Sequence, residues 1–180
     1  MPATFRLTLV QANPSVGDLA GNAALAKQAW AAGKAAGADL VALTEMFITG
    51  YQTQDLILKR AFAEAALAAL VQLARDCADG PALGIGGPAL RDGKLFNAYH
   101  ILQGGHIAAT ILKHDLPNDS VFDEKRLFSA ADIHGPIPIG PVRLGIPICE
   151  DAWHADVCET LAETGAEILF VPNGSPYHRG

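Results

Sequence analysis

The sequence has few of the features that mark exported, membrane or disulfide-bonded proteins. Its 180 residues include three cysteines, Cys77, Cys149 and Cys158, and no CxxC pair. Such a sparse, odd set fits a reducing cytosol, so we expect Cys149 to be a free thiol. No apolar run approaches the roughly 20 residues that span a bilayer, and the first residues lack a signal-peptide pattern. The sequence therefore predicts a cytoplasmic protein without a membrane partner.

Concentrated positive charge and metal-ligand spacings are missing as well. The formal net charge is −6, and the densest cationic stretch, residues 124–126, is mixed in sign. Because nucleic acids are bound through basic surfaces, no nucleic-acid partner is expected. The six histidines show no HxH or HExxH spacing, so no metal site is predicted.

The chain has enough hydrophobic residues, 50% of the total, to bury the core of one domain. Apolar periodicity and turn residues predict strands at 5–10, 39–45, 83–86, 95–102, 107–113, 142–149 and 168–171, and helices at 23–36, 55–78 and 157–163. Asn22 and Asp55 are the predicted helix caps. Asp92-Gly93 and Gly104-Gly105 predict tight hairpin turns. The sum is an α/β fold with a mixed sheet and helices on at least one face.

Three reactive residues, Glu45, Lys113 and Cys149, each close one of the predicted apolar runs. The carboxyl ends of strands in open α/β sheets face a ligand crevice, so these groups can converge on one substrate. A lysine favours the thiolate form of a cysteine, and a carboxylate can accept its proton. The alternative is a buried structural cysteine beside a Glu45–Lys113 salt bridge. A salt bridge does not need a cysteine at a third strand end, and the pattern therefore favours an enzyme.

Four segments, residues 44–51, 113–128, 148–153 and 173–180, together resemble the nitrilase superfamily of carbon–nitrogen hydrolases. Within it they are most similar to the glutaminase domains of glutamine-dependent NAD synthetases. The most specific segments are Leu-Pro-Asn followed by Val-Phe-Asp-Glu-Lys-Arg, and Cys-Glu-Asp-x-Trp. The resemblance covers essentially all of residues 1–180 and implies a four-layer α-β-β-α sandwich. We expect this copy of the sandwich to be incomplete at its C-terminal end.

The resemblance also implies a mechanism. Cys149 attacks the side-chain amide of glutamine, Glu45 moves the proton, Lys113 and backbone N–H groups near Cys149 stabilise the oxyanion, and Glu124 orients Lys113. No cofactor is needed for this step. In such synthetases the ammonia passes to a separate domain that uses ATP and Mg²⁺ to amidate deamido-NAD, and we expect that domain to be absent from residues 1–180. A homo-oligomer is likewise expected by resemblance.

Four residues are assigned to the glutamine pocket: Tyr51, Asp119, Phe122 and Ser175. Spacing alone leaves Tyr51 as either a turn aromatic or a pocket wall. Asp119-Ser120 stands where these synthetases usually carry Tyr-Gly, and the tyrosine there normally helps to bind glutamine. The carboxylate of Asp119 could instead pair with the α-ammonium group of an amino acid, which leaves the substrate preference open.

Two alternatives to a glutaminase follow from the sequence. The first is another nitrilase-type amidase, such as an ω-amidase or a carbamoylase, which Asp119 keeps open. The second is a non-catalytic chain, either a truncated fragment or a subunit that only assembles with other chains, because a half-covered sheet exposes strand edges and apolar faces.

Overall fold

The structure, a computed structural model, describes residues 4–119 and 121–175. Its larger sheet contains five strands in the order in which they occur along the chain: β1 Leu7–Leu9, β2 Leu40–Ala42, β3 Ala82–Arg91, β4 Lys94–Gln103 and β5 His106–Leu112. The first three are parallel, whereas β4 and β5 are added as antiparallel hairpin strands. The predicted mixed sheet is therefore confirmed.

A second sheet has three strands: β6 Ile137–Ile139, β7 Val142–Gly145 and β8 Ile168–Leu169. The helical segments are α1 Leu19–Ala35, a 3-10 helix at Gln54–Leu58, α2 Arg60–Asp76, α3 Glu124–Leu127, a 3-10 helix at Cys149–Ala152, and α4 Ala155–Glu163. No helix in the described parts of the chain is both long and apolar enough to cross a bilayer.

The layers follow from the alternation of side chains along β2. Val41 and Leu43 pack into a core with α1 and α2 on one face of the large sheet. Leu40 and Ala42 point the other way and share a core with Leu144 and other residues of the second sheet. Helix α4 covers the outer face of that second sheet, where Leu161 approaches Gly145. The order of layers is α-β-β-α, as the family resemblance implied.

The predicted hairpin turns are confirmed by the backbone. Asp92 and Gly93 have φ angles of 50° and 75°, and Gly104 and Gly105 have φ angles of 58° and 85°. Two consecutive positive φ angles define the turn whose twist matches the flanking strands. The first of these turns lets β3 pair with β4, so the strand predicted at 83–86 extends to ten residues.

Both predicted helix caps are wrong. Helix α1 begins earlier, and the side chain of Asp18 caps it by accepting a hydrogen bond from Gly21 N at 2.9 Å. Asn22 lies inside the helix, where its buried amide donates to the backbone of Ser15 and Ile48. The predicted helix at 55–78 is divided at Lys59, whose extended backbone separates the 3-10 helix from α2. Asp55 therefore belongs to the 3-10 helix and does not cap α2.

Candidate active site

Lys113 is the centre of a buried charge cluster. It follows directly after β5, and its side chain is completely buried. The Nζ atom lies 2.8 Å from Oε1 of Glu45 and 2.9 Å from Oε2 of Glu124. Burial alone would lower the pKa of Lys113, but the two carboxylates raise it above its ordinary value. The amine is therefore held in its charged form.

Glu45 is positioned by a turn that packs directly on β3. Gly86 N donates to Thr44 O at 3.1 Å, and Ile48 N donates to Gly86 O at 3.1 Å. A Cβ atom at Gly86 would lie only 2.6 Å from the carbonyl carbon of Glu45. Glycine is needed here because the turn approaches β3 closer than any side chain permits.

Glu124 stands at the start of α3 and accepts hydrogen bonds from three groups. Besides Lys113, they are Tyr51 OH at 2.8 Å and Asn97 Nδ2 at 3.2 Å, both to Oε1. Burial raises the pKa of Glu124, Lys113 opposes that rise, and the nearby charge of Glu45 adds to it. Burial and the two carboxylates also raise the pKa of Tyr51, so its hydroxyl is a neutral donor.

Cys149 begins a 3-10 helix after β7 with a φ angle of 50°, a left-handed conformation uncommon in residues other than glycine. Its side chain is buried. Burial raises the pKa of the thiol to about 11; the charge of Glu45 acts in the same direction, and the charge of Lys113 opposes them. The thiol is therefore protonated at neutral pH and needs a base before it can act as a nucleophile.

The segment after β8 closes the site from another side. Gly174 N donates to Oε2 of Glu45 at 2.9 Å, and Cys149 N donates to Pro172 O at 3.1 Å. A Cβ atom at Gly174 would lie 3.0 Å from Oε2 of Glu45 and closer still to the ring of Tyr51. The Cys149 N–H is already engaged, whereas Lys113 Nζ makes two hydrogen bonds and has a third N–H that can donate to a substrate oxygen.

Asp151 connects the segments that carry Lys113 and Cys149. Its carboxylate accepts hydrogen bonds from His114 N at 3.1 Å and Asp115 N at 2.7 Å, both directly after Lys113. It also accepts from Ile148 N at 2.9 Å, directly before Cys149. Burial raises the pKa of Asp151, and the backbone donors oppose that rise. One buried carboxylate thus fixes the spacing between the two segments.

The residues predicted to bind substrate lie at different distances from this cluster. The rings of Tyr51 and Phe122 stack with their centroids 6.2 Å apart, and Tyr51 contacts Glu124 directly. Asp119 is exposed and lines an open cleft of about 750 Å³ with Lys125, Glu150 and other residues. Ser175 is exposed and follows Gly174. Tyr51 is thus part of the cluster, and the substrate-binding roles of all four residues stay predictions.

Three further residues of the site, Asn97, Asp151 and Gly174, were not predicted from the sequence. The available signal for Asn97 was a polar residue inside an apolar predicted strand, between Phe96 and Ala98. Asp151 belongs to the Cys-Glu-Asp segment, but nothing in its spacing showed that it accepts backbone hydrogen bonds from the lysine segment. Gly174 contributes a backbone N–H, which no residue type could have indicated.

Outside the cluster, His114, Asp115 and Asp156 bring one potential ligand atom each to within 4.8 Å of one another. His114 Nδ1 already contacts Ala131 O, and Asp156 is exposed. Exposed acidic groups commonly lie this close without an ion, so the arrangement does not assign a metal site.

The chain is similar to known proteins in both sequence and structure. It is 59% identical to the glutamine-dependent NAD(+) synthetase of Rhodobacter capsulatus over 180 residues, which are 100% of this chain and 33% of that protein. The structure of glutamine-dependent NAD+ synthetase from Acinetobacter baumannii matches with a TM-score of 0.88 and 28% identity, covering 98% of this chain and 33% of the other. The chain thus spans about a third of the length of these relatives.

The similarity extends to smaller enzymes of the same fold. An amidase of the nitrilase superfamily from Nesterenkonia AN1 matches with a TM-score of 0.81 and 23% identity, covering 95% of this chain and 66% of the amidase. At this identity the likeness concerns the fold alone. The family model described as carbon-nitrogen hydrolase matches residues 6–180, nearly the whole chain. On this match and on the 59% identity, the chain belongs to the carbon–nitrogen hydrolase family.

Proposed function

We propose that this chain hydrolyses the side-chain amide of glutamine to glutamate and ammonia. The observation that carries the proposal is the contact between one buried lysine, two buried glutamates and a buried thiol. Lys113 is held by Glu45 and Glu124 at 2.8 and 2.9 Å, and the charges of Glu45 and Lys113 both act on the Cys149 thiol. A nucleophile, a base and an oxyanion donor are the groups that amide hydrolysis through a covalent intermediate requires.

In the first step, Cys149 transfers its proton to Glu45 while Sγ attacks the amide carbon. The electron pair of the C=O bond moves to the oxygen, which the charged amine of Lys113 stabilises. Lys113 is suited to this role because its raised pKa keeps it protonated throughout. Glu124 is the positioning residue for Lys113, since it accepts a second hydrogen bond from Nζ.

In the second step, Glu45 returns the proton to the leaving nitrogen and ammonia departs. A thioester between Cys149 and the substrate acyl group remains. Water, deprotonated by Glu45, then attacks this thioester and releases glutamate and the thiol. No cofactor enters either step, and the proposed residues of the active site are Glu45, Lys113, Glu124 and Cys149, with Tyr51, Asp119, Phe122 and Ser175 at the substrate.

The relatives suggest a wider context for this reaction. Because they are glutamine-dependent NAD(+) synthetases about three times as long as this chain, we propose that residues 1–180 are the glutaminase domain of such an enzyme. Its ammonia would serve the ATP-dependent and Mg²⁺-dependent amidation of deamido-NAD in a further domain. A cytoplasmic location and a homo-oligomer belong to the same proposal.

The test is ammonia release from L-glutamine by this chain, by Cys149→Ala and by Cys158→Ser. Cys158 is a second free thiol, on α4 and outside the charge cluster, so its substitution is the matched control. We expect release from the unaltered chain and from Cys158→Ser, and none from Cys149→Ala. Release that persists in Cys149→Ala, or none from a folded and monodisperse sample of the unaltered chain, would contradict the proposal.

A second candidate is a nitrilase-type amidase with another substrate. Its support is the exposed carboxylate of Asp119, which stands where the resemblance implies a glutamine-binding tyrosine. Asparagine and a few ω-amides in the same assay separate the two candidates. Cys149-dependent release from these amides but not from glutamine would favour the second candidate.

A further inference from the structure

Asn97 connects both carboxylates of the charge cluster. It lies on β4, and its side chain is fully buried. One amide nitrogen, Nδ2, donates to Oε1 of Glu45 at 2.8 Å and to Oε1 of Glu124 at 3.2 Å. Lys113 bridges the same two glutamates through Nζ. The backbone N–H of Lys113 also donates to the backbone oxygen of Asn97 at 2.9 Å. The glutamates are therefore joined twice, by a cation and by a neutral amide.

The hydrogen bonds on Glu45 distinguish its two oxygens. Oε1 accepts from Lys113 and from Asn97, and two donors occupy both of its lone-pair directions. Oε2 accepts from Gly174 N and has one lone pair left. The charge of Glu45 also acts on the Cys149 thiol. Oε2 is therefore the oxygen of Glu45 that can still accept a proton.

The orientation of the Asn97 amide is fixed by the carboxylates. A rotation of 180° would place Oδ1 against two negatively charged groups. In the observed orientation, Oδ1 is buried and has no hydrogen-bond partner among the described residues. An unpaired buried oxygen lowers the stability of the folded chain, whereas an apolar side chain of similar size would not. The amide thus contributes its two donors at a cost to stability.

We propose that Asn97 is a positioning residue of the reaction, which occupies Oε1 of Glu45 and leaves Oε2 to accept the Cys149 proton. This inference rests on the proposed function only in taking Cys149 as the nucleophile. The S–H bond breaks, the proton forms a bond to Oε2, and the electron pair left on Sγ forms the bond to the substrate carbon.

Asn97 affects the pH dependence of the reaction, because its N–H groups stabilise the charged form of a carboxylate. The titratable and charged groups that face this amide directly or through the glutamates are Glu45, Glu124, Lys113, Tyr51 and Cys149. Loss of a donor to a carboxylate raises its pKa. The acid limb of the activity profile therefore moves to higher pH in a variant that lacks this amide.

The test compares Asn97→Leu with Tyr99→Phe. Tyr99 lies two residues further along β4 and is also buried; its hydroxyl donates to Leu43 O at 2.8 Å and contacts no carboxylate. For Asn97→Leu we expect kcat to fall by about tenfold or more, KM to change less, and the acid limb of kcat/KM to move to higher pH. Tyr99→Phe should lower the melting temperature and leave the pH profile unchanged.

A second readout does not depend on glutamine. The rate at which iodoacetamide alkylates Cys149 is measured against pH in a Cys158→Ser background, with Cys149→Ala as the blank. We expect the alkylation profile of Asn97→Leu to shift relative to the unaltered chain. An unshifted profile would overturn the proposal even if glutamine is hydrolysed, and a shifted one would support it even if another amide is the substrate.

Asn97→Asp serves where the leucine variant does not fold, because it preserves the size of the side chain. The introduced carboxylate adds a negative charge beside Glu45 and Glu124, which raises the pKa of the neighbouring thiol. We expect slower alkylation than in the unaltered chain, and increasingly so as the introduced group ionises. Alkylation that matches the unaltered chain at every pH would overturn the proposal.

Discussion

The ion pairs of the charge cluster and those of the helix surface have the same lengths but different surroundings. Lys113 lies 2.8 Å from Glu45, and Lys27 lies 3.0 Å from Asp76. Both side chains of the first pair are 0% exposed, whereas those of the second are 53% and 34% exposed. Water and salt screen the surface pair, so it contributes little to stability. Burial, and not the distance between the charges, decides what each ion pair contributes.

Each buried charge loses several kcal/mol of hydration, and only its partners compensate for that loss. The cluster contains two carboxylates for one ammonium, and neutral donors supply the remaining hydrogen bonds. These are the hydroxyl of Tyr51, the amide of Asn97 and the N–H of Gly174. The cluster is therefore sensitive to the loss of any one member, whereas the surface pairs are not.

The largest expected effect is the removal of the central cation. Lys113→Met leaves Glu45 and Glu124 buried without their shared partner, and we expect the free energy of unfolding to fall by about 3–5 kcal/mol. The measurement is urea denaturation at pH 8. At pH 5 the loss should be smaller, because a carboxylate that has gained a proton no longer needs the cation. Lys27→Met is the matched control, and equal denaturation midpoints for the two variants would contradict the comparison.

A second expected effect concerns a buried histidine on the same strand as Asn97. Burial lowers the pKa of His100 from 6.5 to about 4. Between these values the unfolded chain binds a proton that the folded chain does not, so stability falls as the pH falls from about 6.5 to about 4, by roughly 3 kcal/mol in all.

The measurement for His100 is urea denaturation across this pH range. Above about pH 6.5 His100 causes no loss of stability, because the folded and the unfolded chain are then both neutral at this residue. His100→Asn should flatten the profile, whereas His106→Asn, at an exposed position on β5, should not. If the stability of His100→Asn falls with pH as steeply as that of the unaltered chain, groups other than His100 cause the loss.

The smallest expected effect is a difference in stability between two variants that each lack one tyrosine hydroxyl. Tyr51 donates to the carboxylate of Glu124 and Tyr99 to the neutral carbonyl of Leu43, both at 2.8 Å. Hydrogen bonds to charged groups contribute about 1.5–3 kcal/mol and neutral ones about 0.5–1.5 kcal/mol. Tyr51→Phe should therefore lower the free energy of unfolding more than Tyr99→Phe does. The reverse order in urea denaturation would show that the charge of Glu124 adds nothing to its hydrogen bond.

The parts of the fold that could be predicted have a local cause. The hairpin turns follow from Asp92-Gly93 and Gly104-Gly105, because few residues adopt a positive φ angle. Glu45, Lys113 and Cys149 lie close together because each of them follows an apolar run. The strands end before these residues, by as many as four positions. The four-layer order followed from the family resemblance, not from the periodicity of the runs.

The parts that could not be predicted depend on contacts across the fold. Strand β6 was missed because it is short and contains Pro138, which is tolerated there since β6 is an edge strand. The break at Lys59 has no proline or glycine to indicate it. Asn97 reaches both carboxylates because of its position on β4, opposite Pro88 on β3, and register between strands is not visible in either strand alone.

The carboxylate of Asp151 has a consequence for the motions of this site. It accepts hydrogen bonds from the backbone on both sides, two from the segment after Lys113 and one from the segment before Cys149. Neither segment can swing outward without breaking bonds that hold the other. We therefore expect the two segments to open to solvent together, so that a fluctuation that exposes the Cys149 thiol also disturbs the segment that carries Lys113.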